Sequence, residues 1–305
     1  MSDRFSGVLA PVVTPFDGGL QPDAKRLLAH CRWLLERDVS LAVFGTNSEA
    51  NSLTLAEKRA LLDHLAESRI DGHRLMPGTG SCALPDAVEL TRHAVETGCR
   101  GVLMLPPFYY PSVTEDGLFA FYAEVIEQVG NDRLQLYLYN IPSHTGIPIT
   151  LPLVERLARE YPATLAGIKD SSGDWPTTLG YLQAGIADFR VFCGSESFLL
   201  NTLRHGGAGC ISATANVNGA AMVALHGSYG SADAERLQAG LDGVRNSFQR
   251  FPMIPALKYT IAHHFHDPDW HRVRPPLQAL DAAQQKALES LLEDADPMDN
   301  PLVIR

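Results

Sequence analysis

The chain has 305 residues, 45% of them hydrophobic and 20% charged, with a formal net charge of −10. That balance fits one large or two ordinary globular domains. It has no apolar run long enough for a membrane span, no basic stripe for a nucleic acid, and no signal-like start in MSDRFSGVLAPVVTPF. The chain is therefore expected to be cytoplasmic, with no nucleic-acid partner. The five cysteines (Cys31, Cys82, Cys99, Cys193, Cys210) are odd in number and never spaced as CxxC. They read as reduced, packed thiols, not as a disulfide or zinc framework.

Short apolar runs alternate with longer amphipathic ones. Strands are predicted over 7–13, 40–45, 74–78, 101–105, 134–140, 164–169, 189–194 and 209–213. Between them, helices are predicted over 23–37, 55–68, 85–97, 115–129 and 151–160. Start signals support three of these: Pro22-Asp23, Thr54 with Glu57 three residues on, and Thr114 before Glu115-Asp116. Near-continuous apolar strands alternating with helices imply a parallel sheet covered on both faces. Eight such units predict an α/β fold, a (β/α)8 TIM barrel over 1–218. A doubly wound open sheet is the alternative, but no GxGxxG follows the first strand. Beyond it, helices predicted over 232–248, 254–266 and 281–293 form a C-terminal three-helix extension, 219–305.

In a barrel of this kind, chemistry collects at the C-terminal strand ends. The sixth strand, Thr164-Leu-Ala-Gly-Ile-Lys169, ends in a lysine followed by Asp170-Ser-Ser-Gly. Lysine is rarely buried without a partner or a task, and a desolvated amine is a nucleophile for ketones. The alternative is a lysine that reaches water and pairs with Asp170. The other strand ends supply Thr46 and Asn47, then Tyr109 and Tyr110, then Tyr139. The seventh strand supplies Gly194 and Glu196, and the eighth Ile211 to Thr214. Each residue also has a structural reading: Thr46 and Asn47 as helix caps, Tyr139 as a sheet aromatic, Glu196 as an acid favoured at a helix start.

Five stretches, taken in order, resemble one family: Gly45-Thr-Asn-Ser-Glu49, Pro106-Pro-Phe-Tyr-Tyr-Pro111, Tyr139-Asn-Ile-Pro142, Gly167-Ile-Lys-Asp-Ser-Ser-Gly173 and Ile211-Ser-Ala-Thr-Ala-Asn216. This is the dihydrodipicolinate synthase / N-acetylneuraminate lyase superfamily of class I pyruvate-dependent aldolases. The resemblance implies a homotetramer (a dimer of dimers) and no cofactor beyond a covalent imine on Lys169. It implies that Tyr139 moves protons, that Thr46 links Tyr139 to a Tyr109 from a neighbouring subunit, and that Thr46 and Asn47 hold the pyruvyl carboxylate. The Ile211 carbonyl would orient the amine.

Two positions depart from the family pattern. Ser48 stands where a glycine is usual, and His144 where dihydrodipicolinate synthases carry an arginine for the aldehyde's carboxylate. Histidine lacks arginine's permanent two-pronged charge. The expected function is therefore a Schiff-base lyase that cleaves or condenses pyruvate with an aldehyde, with a 2-keto-3-deoxy sugar acid or related 2-oxo acid as substrate. Glu196 would meet substrate hydroxyls. The alternatives are 4-hydroxy-tetrahydrodipicolinate synthase, a 2-keto-3-deoxy acid dehydratase through the same imine, and a non-catalytic 2-oxo-acid-binding barrel. No metal is expected: His263, His264 and His266 fall at a helix end, where His complements the dipole. Arg272 and Arg274 are expected to pack the last helices onto the barrel.

Overall fold

The computed structural model describes residues 4–294 and 297–298. Seven strands form one sheet: β1 (Gly7–Ala10), β2 (Ser40–Leu41), β3 (Val102–Met104), β4 (Leu136–Asn140), β5 (Leu165–Asp170), β6 (Arg190–Cys193) and β7 (Gly209–Ile211). Their order is β2-β1-β7-β6-β5-β4-β3, and every pairing is parallel. Leu9, Ala42, Leu103, Tyr137, Phe192 and Ile211 come from across this sheet yet pack into one inner cluster. Only a sheet curled into a half-barrel brings them together. A second, larger cluster lies between the sheet and its helices, so both faces are covered, as parallel sheets require.

Most strands are shorter than expected, and among the described residues there is no eighth. Residues 74–78, expected as the third strand in chain order, form none. A 3-10 turn, Gly72–Arg74, takes the start of the segment, and Pro77 has no N–H to offer a ladder. What survives is a pair of isolated parallel bridges, Leu41 to Leu75 and Gly78 to Leu103. They attach the segment to both edge strands, with the Met76 amide 2.8 Å from the Leu41 carbonyl and the Leu103 amide 2.9 Å from the Pro77 carbonyl.

The helix starts follow the sequence signals. Asp23 and Thr114 cap the helices Ala24–Leu35 and Glu115–Val129. Thr54 and Glu57 form a reciprocal capping box on Leu55–Glu67, where the Glu57 amide donates to Thr54 Oγ1 at 3.2 Å and the Thr54 amide to Glu57 Oε2 at 2.8 Å. After β7 come the helices Ala215–Ser228, Ala234–Phe248, Met253–Phe265 and Ala282–Asp294. Of the expected extension, residues 295–296 and 299–305 lie outside the described residues. Among the described residues, no helix is long and apolar enough to cross a membrane. Among the described residues, no group of three or more His, Cys, Asp or Glu side chains is placed to hold a metal. His266 closes the helix Met253–Phe265 in the left-handed region.

A buried ion pair ties these C-terminal helices to the loop after β2. Lys258 donates to Glu49 Oε1 and, at 2.7 Å, to the Arg272 carbonyl, while the Arg274 amide donates to Glu49 Oε2 at 2.9 Å. The Arg274 guanidinium grips both Glu57 oxygens, at 2.9 and 2.5 Å, and the Ser52 carbonyl at 2.7 Å. Both cations lie over the Phe16 ring, with Lys258 Nζ 4.4 Å from its centroid. Burial pushes the Lys258 amine down to about 8 against the pull of Glu49. Such a pair contributes little net stability but is costly to break, because the surviving charge stays buried. Lys258→Met is therefore expected to lower unfolding free energy by about 3–5 kcal/mol in urea titration. Adding Glu49→Gln should recover part of that loss. A single variant within 1 kcal/mol of wild type, on the order of an exposed pair, would show that this joint is not a buried pair.

Candidate active site

The centre of the site is set by strand register. Tyr139 on β4, Lys169 on β5 and Phe192 on β6 are aligned neighbours, and so are Asn140, Asp170 and Cys193 one residue on. Because side chains alternate across a sheet, the first set faces the interior and the second faces the helices. Tyr139 and Phe192 belong to the inner cluster, and Cys193 to the outer one. Lys169 is 2% exposed, and its Nζ lies 4.1 Å from the centre of the Tyr139 ring. An amine over an aromatic face gains a cation–π attraction when protonated. Among the described residues, nothing accepts a hydrogen bond from it.

The alternative partner for Lys169 is excluded by the same register. The Asp170 carboxylate turns outward and is saturated. It accepts from Asn140 Nδ2 at 2.8 Å, the Ser172 amide at 3.1 Å, Ser172 Oγ at 2.9 Å and Thr178 Oγ1 at 2.6 Å. Lys169 is thus left as a buried amine with an aromatic neighbour and no anion.

A cavity of 290 Å³ opens above it. The lining includes Thr46, Asn47, Tyr139, His144, Lys169 and Gly194 from the expected set. Thr46 and Asn47 sit in a 3-10 turn, Thr46–Ser48, whose Ser48 Oγ accepts from the Gly45 amide at 3.1 Å. Thr46 Oγ1 lies 3.2 Å from the Tyr139 hydroxyl. The serine that replaces a glycine at Ser48 carries no left-handed backbone. The loop puts that burden on Phe44 and Glu49, at φ 62° and 56°, and Glu49 is held there by Lys258.

Three expected site residues stand elsewhere. Glu196 does not line the cavity: Ser212 and Thr214 donate to its two carboxylate oxygens, and Arg245 Nη1 lies 3.7 Å away. Its buried position among donors leaves nothing for substrate hydroxyls. Tyr109 is 74% exposed, edge-on to Tyr110 at 5.3 Å, outside the cavity of its own chain. Ile211 packs in the inner cluster, and no hydrogen bond joins its carbonyl to the lysine amine; Ala213 is the lining residue from that segment.

Other lining residues carry no sequence signal. Arg245 and Met253 come from the helices Ala234–Phe248 and Met253–Phe265, in the part of the chain read as an extension. A lone arginine on an amphipathic helix belongs to no motif, so only the folded packing reveals it.

The sequence model of the dihydrodipicolinate synthetase family matches residues 4–295. The chain belongs to this family. An uncharacterised DapA-like lyase from Chloroflexus aurantiacus is 29% identical over 290 residues, 94% of this chain and 96% of that protein. A 4-hydroxy-tetrahydrodipicolinate synthase from Thermus thermophilus is 36% identical over 214 residues, 70% of each. Among solved structures, YagE, a prophage protein of the family from E. coli K12 in complex with pyruvate, superposes with a TM-score of 0.86. It is 28% identical and covers 95% of this chain and 98% of its own. The enzyme is a lyase of the dihydrodipicolinate synthase family.

The cavity wall depends on one close approach. A Cβ on Gly194 would overlap Ser171 Oγ and lie 2.7 Å from its Cβ and 2.8 Å from its Cα. Gly194→Ala is expected to push the loops after β5 and β6 apart, at about 1–3 kcal/mol by urea denaturation. Adding Ser171→Gly should restore part of the loss. A double variant no more stable than the single one would mean that the strain lies elsewhere.

Proposed function

We propose that the protein is a Schiff-base-forming aldolase that joins pyruvate to an aldehyde, or cleaves the product, using Lys169 as the covalent residue. The observation that carries this reading is the Lys169 amine, buried, unpaired and 4.1 Å from the ring centre of Tyr139. A lysine held in this way, with no competing partner, is placed to attack a keto carbon, and the resulting iminium nitrogen serves as the electron sink.

The steps balance as follows. The amine adds to the keto carbon of pyruvate to give a carbinolamine, and loss of water leaves the iminium. Loss of a C3 proton gives the enamine. Its carbon attacks the aldehyde carbonyl, the alkoxide takes up a proton, and water releases the 2-oxo acid from Lys169. Cleavage runs the same steps backwards. Tyr139, bonded to Thr46 Oγ1, is the group that gives and takes protons at the carbinolamine and the alkoxide. The first amides of the Thr46–Ser48 turn have no acceptor within the turn and take the pyruvyl carboxylate. Tyr109 serves, in this reading, the cavity of a second copy within an oligomer. No cofactor is required beyond the imine.

The substrate class is a 2-keto-3-deoxy sugar acid or related 2-oxo acid. His144 supports placing it apart from the synthase reaction, since at the position where the family resemblance expects an arginine for the aldehyde's carboxylate it offers no permanent charge.

Pyruvate with borohydride should trap one adduct, and peptide mapping should place it on Lys169. Lys169→Ala should abolish it. Tyr139→Phe should keep the adduct and lower turnover about 10²–10⁴-fold. An adduct elsewhere, or undiminished in Lys169→Ala, would end this reading.

A further inference from the structure

Arg245 is the one strong cation of the cavity that the Schiff-base chemistry does not use. It reaches the lining from the helix Ala234–Phe248, and its side chain is 18% exposed. Its Nε and Nη1 are buried with no hydrogen-bond partner. Its one ion-pair partner among the described residues is Glu196, at 3.7 Å, beyond hydrogen-bond range. Each Glu196 oxygen accepts one hydrogen bond, from Ser212 and Thr214. Gln238 on the same helix donates to the Glu196 carbonyl at 3.0 Å. Glu196 therefore balances part of the charge, while no hydrogen bond satisfies Nε or Nη1. Buried donors left empty are expensive, and a guanidinium presents a planar fork matched to carboxylate or phosphate.

The charge balance of the cavity points the same way. Its one acidic side chain among the described residues is Asp170, whose carboxylate is saturated on the outer face. The remaining charged side chains are Lys169 and Arg245. The keto acid end of a substrate accounts for Lys169 and the Thr46–Asn47 turn. Arg245 is left over, on the wall after β6 and β7, where Ser195 and Ala213 also line the cavity. His144 stands on the opposite flank of Lys169, after β4.

We infer that Arg245 binds a second anionic group on the substrate, so that the preferred substrates are 2-oxo acids with a carboxylate or phosphate at the end remote from the reacting carbonyl. This rests on the imine at Lys169 proposed above and selects within its substrate class. Arg245 is a specificity residue: it binds the tail and takes no part in bond making.

Borohydride trapping tests it without knowledge of the natural aldehyde. The half-saturating concentration for adduct formation is measured with 2-oxoglutarate and 2-oxoadipate, and with 2-oxopentanoate and 2-oxohexanoate as uncharged tails of equal length. Matched 2-oxo acids with a terminal phosphate separate the two anions. Wild type should favour a charged tail by roughly 10–100-fold, the range of one or two charge-assisted bonds. Arg245→Met should erase that preference and leave the half-saturating concentration for pyruvate unchanged. Arg245→Lys, which keeps the charge, should retain part of it and covers the case in which the methionine variant does not fold. A merely structural Arg245 would instead weaken all acids alike. Equal trapping of charged and uncharged tails by wild type, or a preference that survives Arg245→Met, overturns the inference alone. No adduct with any 2-oxo acid overturns it together with the imine reading.

Discussion

Everything at this site depends on the register between β4, β5 and β6. Parallel pairing aligns Tyr139 with Lys169, and Asn140 with Asp170. Alternation then sends the lysine into the barrel and the aspartate out of it. A slip of one residue would exchange the two faces, burying a carboxylate in the apolar interior and setting the amine among helix-side donors that it cannot accept from as an ammonium. The four hydrogen bonds on Asp170 lock this choice from outside, because breaking them would strand a buried charge. The amine that faces inward is thus unpaired because its neighbour in sequence is fully occupied.

The half-barrel does not complete the cavity by itself. Two helices beyond the last strand supply Arg245 and Met253 to its wall. The second is held by Lys258, and the segment after it by Arg274, which reach back to Glu49 and Glu57 on the loop and helix after β2. Glu49 directly follows the Thr46–Ser48 turn, so the joint that seats the second helix also fixes the loop that carries Thr46 and Asn47. Scaffold and site share one set of charges. That explains a buried pair which adds little to stability: it sets position.

Much of this was legible in the sequence, and the reasons are local. Apolar runs, capping residues and a lysine at a strand end are signals written in neighbouring residues. Seven strands, three helix starts and the meeting of Thr46, Asn47, Tyr139 and Lys169 follow from them. What failed depended on distant contacts or on backbone detail. The segment 74–78 has a strand's composition, but Pro77 and the 3-10 turn before it reduce it to two bridges. Glu196 follows a strand end, as a site residue would, yet Ser212 and Thr214 from the next strand's loop claim it. Arg245 lies some 75 residues after Lys169 in the chain and has no motif; only packing brings it to the same cavity.

A crystal of the protein soaked in pyruvate tests the central claim most directly. The account predicts continuous density from Lys169 Nζ to the C2 carbon of pyruvate. The carboxylate should rest on the Thr46 and Asn47 amides, with the Tyr139 hydroxyl beside the new bond. Pyruvate bound without a covalent link, or held at another residue while Lys169 stays free, would contradict it.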